Sequence, residues 1–348
     1  MIPRSVGTLA CALALSSSLP AQSRLSLRVV DGDGMPLALT SVVIRAGSGD
    51  SVAVQRLLTT SAGTLQLTLP PGQVTLIGRR VGFRADSLRL GAESPRSPVT
   101  LRLVRIPPML ATLLVRESQD CALSSGEADR ADTSLWDEVQ KGIEARRLLR
   151  EAYRYERRYR RVVTRDPRFG GRSERVTDTV DVNDPGVRDT SSRVQSGAYT
   201  ARQGTTINIR VFDEGDLTRD SFLRLHCHGA PWRDTTDGSV RISFSPRRGA
   251  KSGDDAALVR GTVIMDGNSW LIRTVIYDYV RGNKTVGQGR VDYVPVTVDG
   301  AVVAMPERMT GDLRIPGRFG ISSLKASWVI DQSHAGFSRV LIASPDER

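Results

Sequence analysis

The stretch Thr64-Leu-Gln-Leu-Thr-Leu69 decides the fold class, because it is the cleanest strand pattern in the chain. Its three leucines alternate with polar residues, so one face of the strand is apolar and the other polar. Pro70-Pro-Gly72 then predicts a turn, and Val74–Ile77 predicts the returning strand. An antiparallel sheet with one buried face is the structure that this pattern favours.

The same pattern continues on both sides of that stretch. Apolar residues alternate with polar ones in Leu25–Val29, and shorter runs of the same kind reach Leu103. Together they predict about seven short strands between residues 24 and 105, which is typical of an antiparallel β-sandwich.

Several turn and strand-edge motifs in this region resemble those of the carboxypeptidase regulatory-like domain, a transthyretin-like sandwich. The motifs are Leu27-Arg-Val-Val-Asp31, Gly34-Met-Pro-Leu37, Val42-Val-Ile44, Thr60-Ser-Ala-Gly63-Thr-Leu65, Leu69-Pro-Pro-Gly72 and Arg79-Arg-Val-Gly82-Phe83. Ala62 replaces an aspartate that the family often carries before the glycine. The resemblance implies a non-catalytic accessory domain of the kind found beside peptidase domains and at the start of outer-membrane receptors.

A second module follows a predicted linker over residues 106–133. Ser134 predicts the start of an amphipathic helix, and the period changes to two near Tyr153. Long strand patterns follow, including one over 221–228, which predicts a large curved antiparallel sheet over 134–342 and a tail over 343–348. This module loosely resembles a periplasmic lipoprotein carrier in shape, and otherwise only uncharacterised exported bacterial proteins.

Residues 1–21 have the pattern of a secretory signal peptide: Arg4, a short apolar run and small residues up to Ala21. No apolar run reaches 18 residues, so we expect no transmembrane helix in the mature chain. We therefore expect an exported protein of the periplasm, outer membrane or cell surface. Of the three cysteines, Cys121 and Cys227 would remain after cleavage. In an oxidising compartment they predict a disulfide, and two separate buried thiols are the alternative.

The segment His226-Cys-His228 holds the one cluster of metal-ligand residue types. On a strand the two histidines share a face and Cys227 lies on the other. Zinc would need a third ligand, such as His334, Asp234 or Asp237, and the sequence does not bring one near. We therefore favour a disulfide-anchored strand with two polar histidines, and predict neither a metal nor a cofactor.

The net charge of +11 comes from a strong excess of arginine. A candidate anion-binding stripe lies on one strand, and it contains Arg154, Arg157, Arg158, Arg160 and Arg161. A solvated strand face is the blander and favoured interpretation. Export argues against nucleic acid as a partner.

Catalytic signatures such as His-Glu-x-x-His, Gly-x-Ser-x-Gly or a phosphate loop do not occur in the sequence. The first hypothesis is a non-catalytic envelope protein, acting as a binding, docking or structural module. Its partner would be anionic lipid, lipopolysaccharide, acidic glycan or another envelope protein. The alternatives are a carrier that encloses an apolar ligand in the curved sheet, and a metal-dependent hydrolase that uses His226 and His228.

Overall fold

A computed structural model describes most of the chain. The described residues are 23–47, 53–70, 72–91, 98–107, 129–165, 174–183, 199–203, 206–209, 211–229, 231–247, 249–250, 257–315 and 324–340. The predicted signal peptide, Cys121 and the predicted tail lie outside these ranges.

The first module is a sandwich of two sheets. Its described strands are β1 (Ser23–Val30), β2 (Ser41–Ala46), β3 (Ala53–Leu58), β4 (Thr64–Leu69), β5 (Val74–Arg79), β6 (Phe83–Arg84), β7 (Asp86–Leu90), β8 (Val99–Arg102) and β9 (Val104–Arg105). One sheet has the order β4-β1-β8, the other has the order β3-β2-β5-β7, and β6 pairs with β9. Three and four strands make the seven that the sequence predicts.

The leucine pattern fills the sandwich interior as expected. β1 and β4 are antiparallel, with Leu25 opposite Leu67 and Leu27 opposite Leu65. All four leucines are buried in one cluster with residues of the second sheet. At about 25 cal/mol per Å² of apolar surface, such burial is the main source of stability for this module.

The second module packs one long helix, α1 (Asp129–Ala152), on a large sheet. Its described strands are β10 (Tyr153–Arg165), β11 (Glu174–Asn183), β12 (Thr200–Gln203), β13 (Thr206–Ile209), β14 (His226–His228), β15 (Trp232–Arg233), β16 (Val240–Pro246), β17 (Leu258–Met265), β18 (Ile272–Arg281), β19 (Lys284–Val298), β20 (Ala301–Ile315) and β21 (Leu324–Arg339). A ten-stranded sheet runs β11-β10-β21-β20-β19-β18-β17-β16-β14, with β15 beside β16. The mainly β fold, a sandwich followed by a helix and a large antiparallel sheet, is confirmed.

Two boundaries differ from the sequence prediction. Helix α1 begins at Asp129, inside the predicted linker and ahead of Ser134. A 3₁₀ helix (Glu214–Thr218) and a short helix α2 (Asp220–Leu225) occupy the region before His226, so the predicted strand over 221–228 is wrong except at its end. Six residues are too few to show a helical period, and α2 is fixed by packing Phe222 into the core.

A row of three glycines and three aromatic residues crosses the inner face of the sheet. Following the register from β16 to β21, the row is Phe244, Gly261, Tyr277, Gly289, Gly311 and Trp328. A Cβ on Gly261 would lie 2.7 Å from Phe244 Cζ, and one on Gly311 would lie 2.5 Å from Trp328 Cζ2. Each ring therefore lies over a neighbouring glycine, where any larger residue would push it away.

Candidate functional site

His226 is held by the fold through both ring nitrogens. Nδ1 donates to the Phe222 carbonyl oxygen over 3.1 Å, and Nε2 accepts the Val259 backbone N–H over 3.4 Å. The ring also stacks on Phe222 at 3.9 Å between centroids. Burial lowers the pKa of His226 to about 4, so the side chain is neutral at physiological pH. His226 therefore links α2 to β17 through two hydrogen bonds, and neither ring nitrogen is left to bind a metal.

His228 has a different contact, although it lies on the same short strand. Its ring stacks on Trp136 of α1 at 4.6 Å between centroids. Among the residues that the structure describes, no group of three potential metal ligands is found. Cys227 is disulfide-bonded. Because Cys121 lies outside the described ranges, the Cys121–Cys227 pair stays a prediction.

The arginine stripe lies on β10, between β21 and β11. Arg154 and Arg158 are exposed, and Arg158 Nη2 lies 3.6 Å from Glu156 Oε2. Both partners of this ion pair are more than half exposed, so it contributes little to stability. The side chains of Arg157, Arg160 and Arg161 lie outside what the structure describes, so the stripe as a binding site stays a prediction.

The sandwich and α1 meet through buried charges, which the sequence reasoning missed. Lys141 Nζ lies 2.5 Å from Glu138 Oε1 and donates to the Phe83 carbonyl oxygen over 2.8 Å. Glu138 Oε2 accepts the Gly82 backbone N–H over 2.7 Å. Burial raises the pKa of Glu138, against the lowering influence of Lys141. The pair thus binds the β5–β6 turn of the sandwich directly to the helix.

Further ion pairs and a shared apolar cluster widen this junction. Arg79 bridges Asp137 at 2.6 Å and Glu144 at 2.8 Å. At the other end of the helix, Arg339 donates to the Leu58 and Thr59 carbonyl oxygens. One buried cluster joins residues of both modules: Ala38, Leu39 and Leu58 from the sandwich, and Leu148, Leu149, Tyr153, Tyr155, Val298, Ala301, Val303 and Met305 from the helix and sheet. The two modules therefore pack as one unit.

A second charged cluster lies between α1 and the 3₁₀ helix. Arg146 Nη2 lies 2.8 Å from Glu214 Oε1, and Arg146 Nη1 donates to the Ala304 carbonyl oxygen over 3.0 Å. Both Arg146 and Glu214 are buried. The Arg146 guanidinium also lies 5.1 Å from the centre of the Tyr293 ring. Removing one partner of such a pair would leave the other charge buried and uncompensated, which is strongly destabilising.

Two carboxylates of this cluster, Asp213 and Glu214, have pKa values that are shifted in opposite directions. Burial, followed by the charge of Glu214, raises the pKa of Asp213 to about 6. Burial also opposes ionisation of Glu214, but Arg146 and Arg150 hold its pKa below the ordinary value. Asp213 caps the 3₁₀ helix by accepting the Gly215 N–H over 2.6 Å. A carboxyl group that titrates near neutral pH has the acidity of a general acid or base. Its contacts here hold the helix in place.

A small cavity lies beside Arg146, between α1 and the sheet. It measures about 30 Å³ and is lined among others by Gly142, Trp270 and Val303. That volume suits one or two water molecules and is far below the size of a lipid chain. The inward aromatic rings nearby pack on one another, as Phe212 and Tyr277 do at 4.5 Å between centroids. This cavity is therefore too small to hold the apolar ligand of the carrier hypothesis, which stays a prediction.

Comparison with known proteins adds little to this description. No protein-family model matches the chain, and no curated protein matches it. One matching solved structure comes from Bacteroides fragilis and is described as a "putative membrane-associated protein of unknown function". It is 10% identical, covers 91% of this chain and 100% of its own, and has a TM-score of 0.16. Within the described ranges, no helix has the length and apolarity needed to cross a membrane.

Proposed function

We propose that the chain is a non-catalytic, exported envelope protein in which the sandwich and the sheet form one rigid binding unit. The observation that carries this proposal is the buried junction around Lys141 and Glu138. An enzyme of two modules commonly places its chemistry in a cleft between them. Here the contact between the modules is filled by ion pairs and apolar side chains.

The residues best suited to catalysis also support the proposal. His226 uses both ring nitrogens on backbone groups, and His228 stacks on Trp136. The alternative of a zinc-dependent hydrolase needs at least one of these imidazoles to turn towards a metal. Turning His226 would leave the Phe222 carbonyl and the Val259 N–H without their partners.

Within this proposal, the sandwich belongs to the carboxypeptidase regulatory-like group. All four glycines of its motif set have left-handed backbone conformations, among them Gly63 with φ +68° and Gly82 with φ +78°. A Cβ on Gly63 would lie 2.6 Å from the Val29 carbonyl oxygen, so only glycine fits there. The motif glycines are thus explained by turn geometry, which favours an accessory domain of this kind.

Native mass spectrometry tests the proposal most directly. The protein would be exported to a bacterial periplasm, purified without reductant and sprayed intact. We expect the mass of residues 22–348 less two hydrogens, with no stoichiometric adduct. A zinc adduct that is lost in His226→Ala would overturn the proposal in favour of the hydrolase. A lipid adduct would overturn it in favour of the carrier.

A further inference from the structure

Two arginines of the sandwich lie against one aromatic ring. The Arg80 guanidinium lies 5.6 Å from the centre of the Phe83 ring, and the Arg105 guanidinium lies 5.4 Å from it. The backbone fixes both positions. Arg105 is directly opposite Phe83 in the β6–β9 pair, and the Phe83 N–H donates to the Arg80 carbonyl oxygen over 3.1 Å. Two positive charges are therefore placed beside one buried ring.

Neither charge is paired with a carboxylate among the described residues. Within that part of the chain neither guanidinium donates a hydrogen bond, and Arg80 Nη1 is buried without a partner. The preceding arginine shows the contrast, because Arg79 bridges Asp137 and Glu144. A buried donor without a partner costs free energy, so this arrangement favours a ligand that supplies the missing acceptor.

Asp31 is the acid whose charge acts on Arg80, but its carboxylate serves its own turn. Asp31 Oδ1 accepts the Asp33 N–H over 3.0 Å and the Met35 N–H over 2.8 Å. Burial and the charge of Arg105 lower the pKa of Arg80 to about 10, against the raising influence of Asp31. Arg80 is thus still charged at physiological pH, and Asp31 reduces the excess positive charge without removing it.

The donor set indicates a phosphate group as the ligand. One planar guanidinium already satisfies both oxygens of a carboxylate by a bidentate contact. A phosphomonoester has three acceptor oxygens and a charge of about −1.5 to −2 at neutral pH, so it can accept from two guanidiniums. Arg105 is exposed and Arg80 is half-buried, which leaves the pair accessible from solvent.

We propose that Arg80 and Arg105 form a binding site for a phosphate group on the sandwich. The inference rests on the proposed binding function and names a ligand class for it. Inorganic phosphate and the phosphomonoester headgroup of a lipid offer the same oxygens, and vesicle binding separates these two sources.

Isothermal titration calorimetry with inorganic phosphate tests the site on the whole mature protein. The variants are Arg105→Gln, at an exposed position, and Arg80→Gln/Arg105→Gln. The control, Arg45→Gln/Arg89→Gln, removes the same charge as the double variant from two exposed positions that flank Thr75 in the other sheet. We expect the parent and the control to bind one phosphate with equal affinity. Arg105→Gln should bind it about tenfold or more weakly, and the double variant should show no binding.

Two results would overturn the site. Equal affinity of the parent and Arg105→Gln would show that the pair does not hold the ligand. Equal weakening in the control would show that net charge alone governs binding. Displacement of phosphate by acetate at the same concentration would overturn phosphate as the ligand class.

Phosphatidylcholine vesicles with and without phosphatidic acid identify the source of the phosphate. Binding that needs both phosphatidic acid and Arg105 would support the site with a lipid headgroup as its ligand. Binding of inorganic phosphate without vesicle binding would support the site with a soluble phosphate. Native mass spectra recorded in ammonium acetate contain no added phosphate, so a failure of this inference leaves that test of the proposed function unaffected.

Discussion

Lys141 Nζ lies 2.5 Å from Glu138 Oε1, and both side chains are almost completely buried between the sandwich and the sheet. The two residues are three apart on α1, so they lie on the same face of the helix. Each also reaches a backbone group of the sandwich: Lys141 donates to the Phe83 carbonyl oxygen and Glu138 accepts the Gly82 N–H. The pair is thus an ionic contact within the helix and a contact between modules.

Lys141→Met should destabilise the protein by about 3–5 kcal/mol, because it leaves Glu138 buried without its counter-charge. Urea unfolding of the oxidised protein measures the change. The matched control is Arg147→Met on the same helix, where the exposed pair with Glu151 at 3.7 Å is expected to contribute less than about 0.5 kcal/mol. Equal effects of the two substitutions would contradict the buried junction.

Asp213→Asn should stabilise the protein at neutral pH, by at most about 3 kcal/mol. The folded-state pKa of Asp213, about 6, lies above the value in the unfolded chain. The folded protein therefore binds the proton more tightly, and this stabilisation is lost as pH rises from about 4 through 6. Asparagine keeps the cap and removes the titration.

Unfolding free energies of Asp213→Asn at a series of pH values test this sign. The control is Asp220→Asn, which changes an exposed carboxylate in the first turn of α2. A variant that is less stable than the parent at pH 7, and equally stable at pH 4, would show that the charged form of Asp213 is the favoured one.

The parent protein should lose stability as the pH falls from about 6.5 to 4, and His226→Gln should abolish this loss. The pKa of His226 is about 4 in the folded protein, below that of the unfolded chain. Its contribution is therefore complete above about pH 6.5 and is lost as pH falls towards 4, with a size of about 2–3 kcal/mol. Fluorescence-monitored unfolding across this range measures it, and His228→Gln should retain the loss.

Asp213 and His226 thus act in the same pH range with opposite signs. A pH–stability curve of the parent alone combines the two effects, and the variants separate them. Flat pH–stability curves for both single variants would contradict both assignments.

Gly289→Ala should destabilise the sheet by about 2–4 kcal/mol, because the added Cβ would collide with the Tyr277 ring. Gly32→Ala is the control, since a Cβ there meets no atom within 4 Å. The difference in melting temperature between the two variants measures the effect. Similar melting temperatures would show that the ring moves aside without cost.

The elements that the sequence predicted are those with a periodic pattern of apolar residues. Alternating leucines such as Leu65 and Leu67 predicted a sandwich strand, and the amphipathic pattern after Ser134 predicted helix α1. Gly282-Asn283, which joins β18 to β19, has residue types that are typical of a tight turn.

The charged junctions could not be predicted in this way. Lys141, Glu138 and Arg146 have the residue types of an exposed helix face, and only tertiary partners make their burial possible. The glycine–aromatic row could not be predicted from the sequence either, because it depends on the register of six strands. A signal did exist at Asp213-Glu-Gly-Asp216, where three acids and a glycine follow Phe212. Its arginine partners, however, lie on α1, far away in sequence.

The position of helix α1 limits how the sandwich can be transferred to another protein. Its side chains pack against both the sandwich and the sheet. A graft that cuts between the sandwich and the helix would expose Glu138 and Lys141 without their partners on one fragment, and the Gly82 N–H and the Phe83 carbonyl on the other. A cut after Ala152 would likewise separate Arg146 from Glu214 and uncover the helix residues that pack on the sheet. The sandwich, the helix and the sheet are therefore transferable only together.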